Sequence, residues 1–202
     1  MKLIVMTQSM FFVEEDKILT SLFEEGLDML HLYKPESEPV LSERLLSLIP
    51  QDYHKRIMVH DHFYLKEEYG LKGIHLNTAS DQPPAGYRGA VSCTCRDLSE
   101  LKMCKRHTDY VFLKSLHDSL TTPSDKQSLT IETLQDAARH GLIDRKVYAM
   151  GGMTLDNMSM AHELGFGGVV VCGDLWNRFN IHHETDFKAL LNHFQRLRKA
   201  AG

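Results

Sequence analysis

Two glycine-bearing segments, one structural unit apart, carry the sharpest chemical signal in the sequence. In the stretch from Val147 to Asn157 an apolar run ends on Gly151-Gly152, and a helix is expected to begin around Thr154. Adjacent glycines let the backbone approach a ligand closely, and a helix N-terminus offers N–H groups without intrahelical partners at the positive end of its dipole. That combination suits a phosphate. The pattern recurs from Gly165 to Asp174, where Gly173 directly follows an apolar run ending in Cys172. Plainer readings stand beside it: a tight turn with Thr154 as N-cap, and a Gly173 that only makes room for Trp176.

Histidines form the second set. His31, His60, His62 and His75 lie near the ends of apolar runs, and His117 falls in a polar loop. Histidine can ligate a metal or move a proton near neutral pH. The spacing closes no ligand set for zinc, so hydrogen-bonded structural histidines are the expectation. The four cysteines include Cys93 and Cys95, again without the second pair a zinc site needs, and they read as reduced thiols.

The elements that must position these residues alternate. Short apolar runs at Lys2–Thr7, Asp28–Tyr33, Arg56–His60, Gly73–Leu76, Ala90–Cys93, Asp109–Leu113, Lys146–Met150 and Gly167–Cys172 read as strands covered on both faces. Helical spacing falls at Glu14–Glu25, Glu38–Ile49, Phe63–Tyr69, Leu98–Arg106, Ile131–His140, Leu155–Leu164 and Thr185–Ala200. Asp97 with Glu100 forms a capping box, and Gly26, Gly70, Gly141 and Gly165 stand where helices should stop. Eight βα units predict an α/β fold: one compact (β/α)8 TIM barrel spanning residues 1–202 as a single domain. An open doubly wound sheet is the alternative, disfavoured by unit count and even spacing. After the fourth strand, Asn77–Gly89 carries Pro83, Pro84, Gly86 and Gly89, so the helix there should be incomplete. Lys114–Gln127 reads as a long polar loop. In such barrels the site lies at the C-terminal ends of the strands, with phosphate after strands seven and eight.

Composition narrows the function classes. The 202 residues are 43% hydrophobic and 25% charged, with a formal net charge of −4. Without a basic field or run, nucleic acid and anionic membrane surfaces are not expected partners. The segment from Met1 to Val13 lacks the basic leader and cleavage pattern of a signal peptide, and no apolar run reaches membrane-spanning length. A cytoplasmic protein is the expectation.

Three segments, "MGGMTLDNMSMAHELGFGGVVV", "MVHDHFYLKEEYGLKGIHL" and "AVSCTCRDLSEL", together resemble the family of thiamin phosphate synthase and its TenI-type relatives, in order and spacing over nearly the whole chain. The resemblance implies a small (β/α)8 barrel that condenses hydroxymethylpyrimidine diphosphate with thiazole phosphate and releases pyrophosphate, with Mg2+ on the diphosphate. It places the thiazole phosphate on Gly151, Gly152, Cys172 and Gly173, the strand-five serine at Ser92 and a metal carboxylate at Asp61. The family's Gln-x-Arg-x-Lys is represented by His31, Leu32, Tyr33, Lys34 and Pro35, so the arginine is gone and Lys34 stands one position from the lysine. His60 takes the place of the asparagine before Asp61, and the second metal carboxylate falls at Ser80 or Asp81. Ser119 and Thr121 loosely represent the Pro-Thr-x-Thr-Lys loop.

Carried over in this way, Ser92, His117 and Lys34 are the candidate catalytic residues. His31, Tyr33, His60, Ser119, Thr121, Gly151, Gly152, Cys172 and Gly173 are candidate substrate contacts, and Asp61 the metal ligand. Small phosphorylated thiazole and pyrimidine diphosphate ligands are the implied partners, and a homo-oligomer is compatible with the fold. TenI-type relatives tautomerise a thiazole carboxylate phosphate with a strand-six histidine. Here Ser115 holds that position and His117 lies two residues on. A thiazole tautomerase and a non-catalytic phosphate-ligand-binding barrel are therefore the alternatives to the synthase.

Overall fold

A computed structural model describes residues 1–180 and 187–202. Eight parallel strands, β1 (Lys2–Met6), β2 (Met29–Leu32), β3 (Ile57–Val59), β4 (Gly73–Leu76), β5 (Ala90–Cys95), β6 (Tyr110–Leu113), β7 (Val147–Ala149) and β8 (Gly168–Val171), close a barrel in sequence order. Closure is direct: β1 pairs with β8 through Lys2↔Gly168 to Val5↔Val171. The fold is the expected (β/α)8 barrel, and each expected apolar run overlaps its strand. Alternation explains why runs this short suffice. On β1, for example, Leu3 and Val5 pack outward under the helices, while Ile4 and Met6 join Met29, Met58, Tyr110, Phe112, Tyr148 and Val170 in the barrel interior.

Helices α1 (Glu15–Glu24), α2 (Pro39–Leu48), α3 (Leu65–Glu68), α4 (Leu98–His107), α5 (Ile131–Arg139), α6 (Met158–Glu163), α7 (Gly173–Trp176) and α8 (Lys188–Ala201) cover the outside. The capping box at α4 is complete, with the Asp97 carboxylate accepting from Ser99 N–H at 2.7 Å and Glu100 bonded back to the N-cap amide. All four expected stop glycines have positive φ. No regular helix forms in 77–89, as the prolines require.

Several elements differ from expectation, among them β5, which runs on to Cys95. The helix expected over Leu155–Leu164 begins only at Met158, because Asn157 Oδ1 takes the Thr154 N–H at 2.8 Å and turns the preceding residues. A 3₁₀ turn at Gln51–Arg56 and the one-turn α7 carry too little apolar periodicity to be read from sequence. The expected start of the last helix at Thr185 lies outside the described residues; the described helix runs from Lys188. Among the described residues, no helix is long and apolar enough to cross a membrane.

Candidate active site

The C-terminal strand ends surround a cavity of about 700 Å3. One wall comes from β7 and β8. After Ala149 the chain turns across the mouth through Met150, Gly151, Gly152 and Met153; after Val171 come Cys172 and Gly173. Gly151 and Gly152 sit at φ 99° and 58°, where an L side chain is strained. Loop atoms, and not open space, lie beside them. A Cβ on Gly152 would lie 2.3 Å from the Asp118 carbonyl oxygen, and one on Gly151 would lie 2.8 Å from Ser115 N. The glycines thus accept the loop after β6, which is tied down by Leu116 N–H to Met150 O and His117 N–H to Gly151 O, each 3.2 Å.

The ligand-facing property of this wall is its backbone. Gly151, Gly152, Met153 and Gly173 line the cavity, and none of their amides has an acceptor among the described residues. The α6 dipole is set back, since Leu155 N–H is taken by Asp174 Oδ2 at 3.1 Å and α6 starts three residues later. The unpaired donors of this wall therefore lie in the turns rather than at the expected helix end, an arrangement of backbone amides that suits an anion. Cys172 is wall and not nucleophile, because burial pushes its thiol up to about 12. Trp176 seals the mouth beside it, with Nε1–H donating to Met6 O at 2.8 Å.

The floor is polar and fully bonded. His31 Nδ1 and His60 Nε2 are hydrogen-bonded at 2.9 Å, His31 Nε2 meets Tyr110 Oη at 2.7 Å, and His60 Nδ1 meets Asn77 Oδ1 at 3.1 Å. His75 joins Ser92 Oγ at 2.7 Å and Thr94 Oγ1 at 2.8 Å. Burial holds His60 down at about 4, and burial with the neighbouring imidazoles holds His31 and His75 well below the ordinary range, so all three are neutral at neutral pH. Donor atoms of the three lie within 4.8 Å of one another, yet every ring nitrogen already has a partner. The cluster is satisfied as a hydrogen-bonded barrel core.

Tyr33, His60, His117, Ser119, Thr121, Gly151, Gly152, Cys172 and Gly173 therefore meet in one cavity. His117 has a buried Nε2 without a partner, and burial lowers its pKa. Ser119 orders the loop by accepting Thr122 N–H at 3.0 Å. Four sequence candidates are not in the lining. His31 and Ser92 are the fully buried members of the floor network just described, beneath the lining. Lys34 is 1% exposed and bonds to Glu15 Oε1 at 2.6 Å and Met10 O at 2.9 Å, with its ammonium 4.4 Å from the Phe11 ring centre. Burial lowers the Lys34 pKa and raises that of Glu15 to about 7. Lys34 is thus committed to a structural pair, which sequence could not show because Glu15 lies on another element. Asp61 stands outside the lining too.

Asp61 Oδ2 is nevertheless buried and unpartnered, and burial raises its pKa. A cation would relieve that oxygen, and magnesium held with a diphosphate usually needs one or two carboxylates. Asp61 fits as that one ligand. Asp81 does not supply a second: its Oδ2 accepts Thr78 N–H at 2.9 Å, and Ser80 Oγ bonds to Thr78 Oγ1 at 3.0 Å, closing a surface turn. Sequence reading missed Asn77, Thr94, Arg96 and Lys114, all in the lining. The strand-end rule would have found Thr94 and Arg96 had β5 been extended to Cys95.

The family model described as thiamine monophosphate synthase (TMP-TENI) matches residues 4–175. Among solved structures, the chain is 50% identical to thiamine phosphate pyrophosphorylase from Bacteroides thetaiotaomicron, covering 99% of this chain and 97% of that one at a TM-score of 0.89. Thiamine phosphate pyrophosphorylase from Pyrococcus furiosus shares the fold at 18% identity, covering 98% and 94% of the two chains, with a TM-score of 0.74. No curated protein sequence matches the chain.

Proposed function

The chain belongs to the thiamine monophosphate synthase family, and from that premise we propose that its cavity joins a pyrimidine methyl diphosphate to a thiazole phosphate with loss of pyrophosphate. The observation that carries this reading is the row of unpaired amides at Gly151, Gly152, Met153 and Gly173. They suit the phosphate of the thiazole, which would leave its ring in the cavity between the neutral His60 and the β6 loop. Tyr33, Thr94 and Asn77 bound the remaining space, where a flat heteroaromatic ring can pack and hydrogen-bond. Asp61 would hold Mg2+, which when bound supplies positive charge for the departing pyrophosphate.

A thiazole tautomerase is the second reading, favoured by one feature. The unpartnered Nε2 of a neutral His117 is suited to exchange a proton with a bound ring and needs no metal. One experiment separates the two: incubation of the purified protein with both phosphorylated substrates, with and without Mg2+, and with the carboxylated thiazole isomer alone. Mg2+-dependent condensation is the expected result. Isomer conversion without condensation selects the tautomerase, and binding without either reaction selects a non-catalytic barrel.

A further inference from the structure

We infer that Arg96, at the end of β5, anchors the diphosphate of the second substrate; this rests on the synthase reading above. Few charged groups face the mouth. Arg96, Lys114 and Asp125 are the permanently charged side chains in the lining. The two histidines there, His60 and His117, are held toward the neutral form by burial. Lys114 Nζ is paired with Asp125 at 2.7 Å, so those two charges offset each other. Among the described residues no ion pair engages the Arg96 guanidinium, which leaves it as the uncompensated charge of the cavity.

Position and chemistry agree with that assignment. A planar guanidinium meets phosphate oxygens through two parallel N–H bonds, which a lysine cannot do. The backbone around Arg96 is fixed, since Arg96 N–H donates to Glu100 Oε2 at 2.7 Å just before α4. The residue is exposed, so an anion gripped there stays near solvent and can depart through the mouth. On the opposite side, Tyr33 brings no charge and Lys34 is spent on Glu15. A diphosphate entering this cavity thus meets its strongest attraction at β5 and β6.

The test is calorimetric titration of inorganic pyrophosphate with Mg2+ at low ionic strength. Wild type should bind, Arg96→Gln should bind roughly tenfold more weakly, and Arg96→Lys should fall between them. Asp125→Asn, which frees Lys114, should bind more tightly than wild type. Equal affinity in wild type and Arg96→Gln would overturn the role of Arg96 while leaving the synthase reading standing. Absence of pyrophosphate binding in all four proteins would overturn the diphosphate reading itself. Thermal unfolding of each variant serves as the folding control.

Discussion

Two walls meet across the cavity, and they are built differently. At β7 and β8 the wall is backbone, with glycines under a packed loop and amides left without acceptors. At β2 and β3 it is side chain, and those side chains have already found one another: His31 with His60, Lys34 with Glu15. A backbone wall keeps its donors for a ligand. A side-chain wall that satisfies itself turns into core, so the unpaired amides are found at β7 and β8, and the proposed diphosphate contact falls on Arg96 rather than on β2.

The largest expected effect breaks the side-chain wall. Glu15→Ala strands a buried Lys34, and such a loss costs about 3–5 kcal/mol. Glu15 is raised to about 7, so a neutral partner is tolerable there and Glu15→Gln should cost distinctly less. Urea unfolding of the two variants checks the order. If Lys34 instead served the substrate, both variants would fold normally and lose activity.

On the backbone wall, Gly152→Val puts a side chain against the Asp118 carbonyl at an unfavourable φ, for about 1–3 kcal/mol of lost stability. It should also displace the β6 loop, which a change in limited proteolysis within 114–127 would report. Unchanged stability and cleavage would mean the loop does not depend on the glycine pair.

A further effect of the side-chain wall is graded by pH. The floor histidines have folded-state pKa values depressed below 6.5, so their contribution is full above that value and lost as pH falls toward about 4 for His60. Stability should therefore drop on acidification through this window, by up to ~1.4 kcal/mol per pH unit for each histidine. His60→Asn should flatten the drop, measured by thermal unfolding between these limits. A slope identical to wild type would place His60 outside the titrating set. Smallest of all, Asp81→Asn should change stability within ~0.5 kcal/mol and leave the Mg2+ dependence untouched, since Asp81 only caps an exposed turn. A loss of Mg2+ response would restore it as a metal ligand.

The contrast also explains what the sequence disclosed. Strand runs, the α4 capping box and the Gly151-Gly152 turn are local, set by neighbours within a few positions, and all are found where the pattern puts them. The pairing of Lys34 with Glu15, 19 residues apart, depends on how α1 packs against β2. No spacing rule reports that, so a lysine at a family-like position read as a catalytic candidate. Ser92 and His31 were misjudged in depth for a related reason: alternation shows which side chains enter the barrel, but not how far below the mouth they lie. Arg96 was missed through two residues at the end of β5. The α6 start moved because Asn157 competes for the Thr154 amide, a side-chain choice that helical periodicity does not contain.

Gly173 tests the proposed phosphate contact of the β7–β8 backbone more cleanly than Gly152. A Cβ there would meet Leu120 Cβ at 2.5 Å and no backbone atom closer than 3.3 Å, so the cost is a shift of the exposed Leu120 segment, without the positive-φ strain of Gly152, while the amide surface is crowded. Calorimetric titration of thiazole phosphate into wild type and Gly173→Ala, with thermal unfolding alongside, is the measurement. Binding in wild type and roughly tenfold weaker binding in Gly173→Ala are expected, with a melting temperature close to wild type. Equal affinity in the two proteins would mean that the phosphate, if bound, sits elsewhere and that the glycine serves only the turn into α7.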